Sequence, residues 1–194
     1  MKRTIAAKEL VTSSGLLLDP LVTLDDGRIL KISTRRSEPI AQGDHDFRDC
    51  TLTPGFLDIH FHETAGYDVM EAGPEALETV ARHLSHTGVT RFLPTRVTAS
   101  LEATSYALER IANYIEAEPS TETARAAGID IGDPFLSHAK RGMRPAEFLL
   151  QPSPELLNRF REISRGHLRM MTIAPEVLEL AGSIRNALHS LSRT

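Results

Sequence analysis

His60 and His62 are separated by one residue and close a short, mostly apolar run that begins after Pro54 and Gly55. On a β-strand, positions i and i+2 face the same side, so the two imidazoles point one way. Imidazole is the commonest metal ligand, and barrels of parallel strands carry out their chemistry at the carboxyl ends of those strands. The pair therefore reads as half of a metal site, against the plainer alternative of a solvated strand face. Gly66 and Asp68 supply a polar, turn-forming loop just beyond it. The other histidines are weaker candidates. His83 and His86 lie three apart on a helical stretch, His138 falls in a long connection and His167 opens a strand, and none has further donors gathered at ligand spacing.

The elements that must position the pair follow from periodicity. Residues 2–52 read as short strands broken by turns, at 4–7, 15–18 and 28–33, with Asp26-Gly27 as a hairpin signal. From Gly55 the rhythm changes to strand and helix in alternation. A helix from Pro74 to about residue 85 carries Ala76, Leu77, Val80, Ala81 and Leu84 at three-and-four spacing, with Gly88 after its end. Residues 89–93 form the next strand. Ser100 caps a helix bearing Leu101, Ala107, Leu108, Ile111 and Ile115, which ends before Pro119. Residues 128–131 make a third strand that leads into an acidic loop, Asp130-Ile131-Gly132-Asp133-Pro134. A long connection over 135–151 follows, of the kind that covers the mouth of a barrel. Pro154 opens a helix to about residue 164, residues 167–173 form a fourth strand, and 182–191 is a last helical stretch. Alternation of this kind calls for parallel strands with crossover helices. A complete eight-fold barrel takes about 250 residues. The expected fold is α/β: a partial TIM-like (β/α) barrel of about four β/α units over 53–194, preceded by a small, incomplete β-domain over 1–52.

Pro54-Gly55-Phe56-Leu57-Asp58-Ile59-His60-Phe61-His62 resembles the first-strand signature of the amidohydrolase superfamily. Tyr67-Asp68-Val69-Met70, Gly88-Val89-Thr90-Arg91-Phe92-Leu93-Pro94-Thr95, Pro134-Phe135-Leu136-Ser137, Lys140-Arg141-Gly142 and Met171-Thr172-Ile173-Ala174-Pro175-Glu176 are similar to the N-acetylglucosamine-6-phosphate deacetylases. That resemblance implies metal-assisted hydrolysis of the N-acetyl amide of an amino-sugar phosphate, with a divalent metal, zinc, on His60 and His62. It also implies that the family's chains continue beyond Thr194 and that this one is truncated to their amino-terminal half. The family holds its metal further with a glutamate after the third strand and two later histidines, and an aspartate near the end of the barrel acts as acid and base. Here Gly132 stands where the glutamate belongs, Asp133 is one position late, and Asp130 takes a family histidine's place. Either aspartate reaches a cation only if the strand is bulged. Near Lys140-Arg141-Gly142 the family has a small residue and then a histidine, where this chain has Met143 and Arg144. Arg144 suits bidentate pairing with a phosphate. The ligand set is thus incomplete. No residue is assigned as catalytic, and the substrate-binding residues stay unknown.

Bulk composition narrows the rest. With 194 residues, 41% of them hydrophobic, and a net charge of −4, the chain has the makeup of an ordinary globular protein and no basic footprint for nucleic acid. Cys50, the single cysteine, can form no internal disulfide and reads as a small buried residue. No apolar run is long enough to span a bilayer and the first residues do not read as a secretion signal, so the expectation is a cytoplasmic protein with no membrane partner. Three functions compete: an impaired deacetylase, a non-catalytic remnant or subunit that forms a homo-oligomer or needs a complementing chain, and an amidohydrolase with another substrate.

Overall fold

The computed structural model describes residues 2–34, 45–71, 73–117 and 122–177. The chain divides into two compact units, 1–55 and 56–194.

The first unit is a five-stranded sheet of β1 (Lys2–Thr12), β2 (Gly15–Leu18), β3 (Pro20–Asp25), β4 (Arg28–Thr34) and β5 (His45–Leu52). The strands run β2-β1-β3-β4, with β5 parallel to β1. Asp26 and Gly27, both at positive φ, turn β3 into β4 as the Asp-Gly signal predicts. Ala6, Ala7, Leu10 and Val22 form its small buried centre. Two of these strands are absent from the sequence-based reading. β3 begins on a proline, tolerated at a strand's first residue. β5 is polar and exposed along nearly its whole length, so it joins the sheet through backbone pairing with β1 and shows no apolar alternation. Cys50 lies in β5 and is exposed, which corrects the expectation that it is buried.

The second unit is built on four parallel strands, β6 (Phe56–Phe61), β9 (Val89–Arg96), β11 (Ile129–Phe135) and β12 (Leu168–Ile173), each paired with the next in that order. Three helices connect them: α1 (Pro74–His86), α2 (Leu101–Glu116) and α3 (Pro154–Ile163). The result is a curled parallel sheet backed by helices, half of a TIM-like barrel. A hairpin of β7 (Glu63–Thr64) and β8 (Tyr67–Asp68), turning on Ala65 and Gly66 at positive φ, follows β6. The two-residue β10 (Arg125–Ala126) pairs with β9.

Each helix starts where its sequence stops the preceding chain. Pro74 occupies the first turn of α1, the Ser100 hydroxyl accepts from the Ala103 N–H at the start of α2, and the Ser153 hydroxyl accepts from the Leu156 N–H at the start of α3. Their apolar stripes, including Leu77, Val80, Leu108, Ile111 and Phe160, pack on the sheet residues Phe92, Ile129, Ile131 and Phe135. Phe61 meets Phe92 edge to face, with centroids 5.8 Å apart. Among the described residues no helix is long and apolar enough to cross a membrane.

Three further differences bear on the site. β6, although mostly apolar, is largely exposed: Phe56, Leu57 and Ile59 are 60%, 54% and 50% exposed, and among the described residues β6 pairs with β9 alone. The predicted acidic loop at 130–134 is part of β11, all seven residues of which are buried. The β11–β12 register shifts between Ile131 and Phe135, and Asp133 there sits at φ +59°, so the strand is bulged. The helical stretch read over 182–191 lies outside the described residues.

Leu108 and Ile111 are fully buried on α2. Leu108→Ala is expected to cost about 3 kcal/mol, read from the denaturant midpoint, whereas an unchanged midpoint would contradict this packing.

Candidate functional site

Sheet alternation places Phe61 in the core and turns its neighbours His60 and His62 to the opposite face. The rings are nearly perpendicular, and their Nε2 atoms stand 3.0 Å apart. The other nitrogen of each ring is held from behind. His62 Nδ1 lies 3.1 Å from the Thr95 carbonyl oxygen, which can only accept, so His62 carries its proton on Nδ1. His60 Nδ1 lies 2.9 Å from Asp130 Oδ2, and with the carboxyl group ionised that oxygen accepts a hydrogen bond from Nδ1–H. With both Nδ1 atoms protonated, neutral rings would bring two Nε2 lone pairs together at contact distance. That repels unless a positive charge, a proton or a metal ion, lies between them.

This arrangement fits a metal. Two nitrogens bound at about 2.0–2.1 Å to one tetrahedral zinc ion stand about 3.3 Å apart, and metal-bound histidines commonly donate their second nitrogen to a carboxylate or carbonyl. The fit is incomplete in number. Among the described residues no group of three or more His, Cys, Asp and Glu side chains is placed to hold an ion.

Neither aspartate takes the ligand role that the resemblance gives to a glutamate. Asp130 is fully buried and reaches the back of the His60 ring, away from the Nε2 pair. Asp133, despite the bulge, turns to Arg144 and forms an ion pair with it. Arg144 is thus engaged by a carboxylate rather than standing free for a phosphate. Gly132 has no room for a side chain: a Cβ there would lie 2.6 Å from the Arg96 carbonyl oxygen and 3.2 Å from Thr95 Cγ2. The other histidine candidates, His83, His86, His138 and His167, are not among the partners of the pair. His83, His86 and His138 are exposed, and His167 Nε2 lies 3.2 Å from Glu116.

Two neighbouring residues escaped the sequence reading. Thr95 is fully buried, and its hydroxyl accepts from the Phe61 N–H at 2.8 Å and donates to the Leu93 carbonyl. Threonine is common in strands, and nothing in its neighbours marks this one. Arg96 is also fully buried; Nη1 donates to the Val97 carbonyl, while Nε and Nη2 have no partner among the described residues. Burial lowers its pKa to about 10, with Asp133 opposing the shift. A charged residue at the end of an apolar strand was the available signal.

No family model matches the chain. It is 31% identical over 169 residues to the N-acetylglucosamine-6-phosphate deacetylase of Bacillus subtilis (strain 168), covering 86% of this chain and 43% of that protein. It is also 31% identical over 176 residues to the N-acetylgalactosamine-6-phosphate deacetylase of Escherichia coli O157:H7, covering 91% and 45%. In fold it is similar to an N-acetyl-D-glucosamine-6-phosphate deacetylase variant from Mycobacterium smegmatis solved in complex with N-acetyl-D-glucosamine-6-phosphate. The TM-score is 0.82 at 24% identity, over 98% of this chain and 48% of that one. The chain therefore spans about half the length of the curated relatives it matches.

A pKa below the ordinary arginine value means that the native state holds the Arg96 proton less tightly than the unfolded chain does. The buried charge thus lowers stability at every pH below about 10, and the cost fades as pH rises beyond that value. Arg96→Met is expected to raise stability at pH 7 by roughly 1–3 kcal/mol in denaturant unfolding, and a loss of stability would contradict this. Gly132→Glu, which places a side chain against the Arg96 carbonyl, is expected to lower the melting temperature and to add no metal affinity, whereas tighter zinc binding would contradict the steric reading. Over the length that it spans, the chain is similar in sequence to the amino-terminal part of N-acetylhexosamine-6-phosphate deacetylases.

Proposed function

We propose that this chain carries the His-x-His part of a metal-assisted amide hydrolase site that acts on the N-acetyl group of an amino-sugar phosphate. The observation that carries the reading is the convergence of His60 and His62 Nε2 at 3.0 Å with both Nδ1 atoms tied back. A divalent cation there, zinc by the preference of nitrogen ligands, supplies a water acidified toward pH 7 and polarises the acetamide carbonyl. His60 and His62 would hold it. Asp130 and the Thr95 carbonyl orient the two rings, and Gly132 leaves the family's carboxylate ligand without a counterpart.

A two-imidazole site binds weakly, since catalytic zinc typically takes three protein ligands plus water. The activity of the chain is accordingly expected to be impaired. Relatives named for N-acetylglucosamine 6-phosphate and for N-acetylgalactosamine 6-phosphate are matched at the same identity, so the substrate class is an N-acetylated hexosamine phosphate. A phosphorylated sugar does not cross membranes unaided, which suits a cytoplasmic setting.

A second reading rests on β6. Phe56, Leu57 and Ile59 on a strand with a single ladder partner form an apolar edge of the kind that is buried when a barrel closes. On this reading the chain is a subunit whose sheet is completed by further polypeptide or by another copy.

Assay of the purified chain with both sugar phosphates, with and without added zinc, tests the first reading. The expected result is less than one zinc per chain after dialysis and a slow, zinc-dependent release of acetate that His60→Ala abolishes. Turnover equal in His60→Ala would contradict the reading, and one tightly held ion per chain would contradict its claim of impairment.

A further inference from the structure

Asp130 and Thr95 are cross-strand partners in the β11–β9 ladder, and each holds one of the two imidazoles by its Nδ1 atom. Both residues are fully buried. Thr95 also accepts the N–H of Phe61, the residue between the two histidines, so one side chain and one carbonyl of Thr95 fix the strand and the His62 ring together. Burial of a carboxylate with one oxygen unpartnered, as Asp130 Oδ1 is, costs several kcal/mol unless a positive charge offsets it. Among the described residues the ring that meets Asp130 is His60, with Nδ1 2.9 Å from Oδ2.

We propose that Asp130 and Thr95 form a clamp for the histidine pair. Asp130 is a positioning residue that acts through His60, fixing its proton on Nδ1 and aiming Nε2 at the cation position, while the Thr95 carbonyl does the same for His62. Asp130 thus serves the site by supporting a ligand ring and not by contacting the cation. Gly132 cannot bear a side chain without displacing the Arg96 carbonyl, and Asp133 is committed to Arg144, so no other carboxylate on β11 competes for this role. The inference rests on the reading of His60 and His62 as metal ligands, but the clamp itself has a signature that needs no metal.

The test uses the full chain labelled with 15N-histidine. Long-range 1H–15N spectra of metal-free protein at pH 9, well above the ordinary imidazole pKa of about 6.5, should show both rings protonated on Nδ1, with the two Nε2 atoms drawn apart from their 3.0 Å separation once no positive charge lies between them. In Asp130→Ala, His60 should move toward the Nε2–H tautomer while His62 keeps its Nδ1 proton. Zinc affinity, measured by competition with a chromophoric chelator, should fall about 10–100-fold. Asp130→Asn, of nearly the same shape, gives the second measurement if the alanine variant does not fold: its zinc affinity should also fall, and folding is checked by circular dichroism. Unchanged His60 tautomer and unchanged zinc affinity in the folded variant would overturn the proposal. If wild type shows the two Nδ1–H tautomers and binds no zinc, the clamp stands and the metal reading fails.

Discussion

Two imidazole nitrogens facing each other at 3.0 Å, each ring tied back through its other nitrogen, set the terms for this site. Such a pair needs a positive charge between its members. Everything nearby bears on that requirement: β6 presents the rings on one face, β9 and β11 bring Thr95 and Asp130 behind them, and the helices fill the opposite side of the sheet with Leu77, Leu108, Ile111 and Phe160 so that those strands stay in register.

The charges buried around the pair are held at a cost. A glutamate at the position of Gly132 would need space that the Arg96 carbonyl occupies. Asp130 sits fully buried with one oxygen unpartnered, and Arg96 sits fully buried with two nitrogens unpartnered. Each is a cost that a stability-optimised core would avoid, since replacing buried charge with apolar volume is often neutral or favourable. Asp130 is offset by its contact with His60. For Arg96, burial outweighs the attraction of Asp133, itself paired with Arg144, and its pKa is lowered to about 10.

Much of the architecture was legible in the sequence because it is written in periodicity and caps. The stripes of α1 and α2, Pro74, Ser100 and Gly88 placed those elements within a few residues of where they lie. The His60–His62 pair was legible for the same reason, since alternation along a strand fixes which residues share a face. Other features were not. β5 carries no apolar alternation, so backbone pairing alone makes it a strand. The run 130–134 has the composition of a turn, yet it is buried and continues β11, because a bulge at Asp133 absorbs the irregularity. The role of Asp130 depends on which residue of β9 lies opposite it, a matter of register between strands 35 residues apart that no local pattern encodes.

An edge strand with three exposed large apolar residues and a ligand pair short of donors describe the same condition from two sides. Among the described residues the sheet is curled and not closed, and the position between the two Nε2 atoms is the one a cation would take. X-ray absorption at the zinc edge of the zinc-loaded chain examines that position most directly. The account predicts a first shell with two imidazole nitrogens, completed by water oxygens. A shell with no imidazole, or with three or more protein donors including a carboxylate, would contradict it.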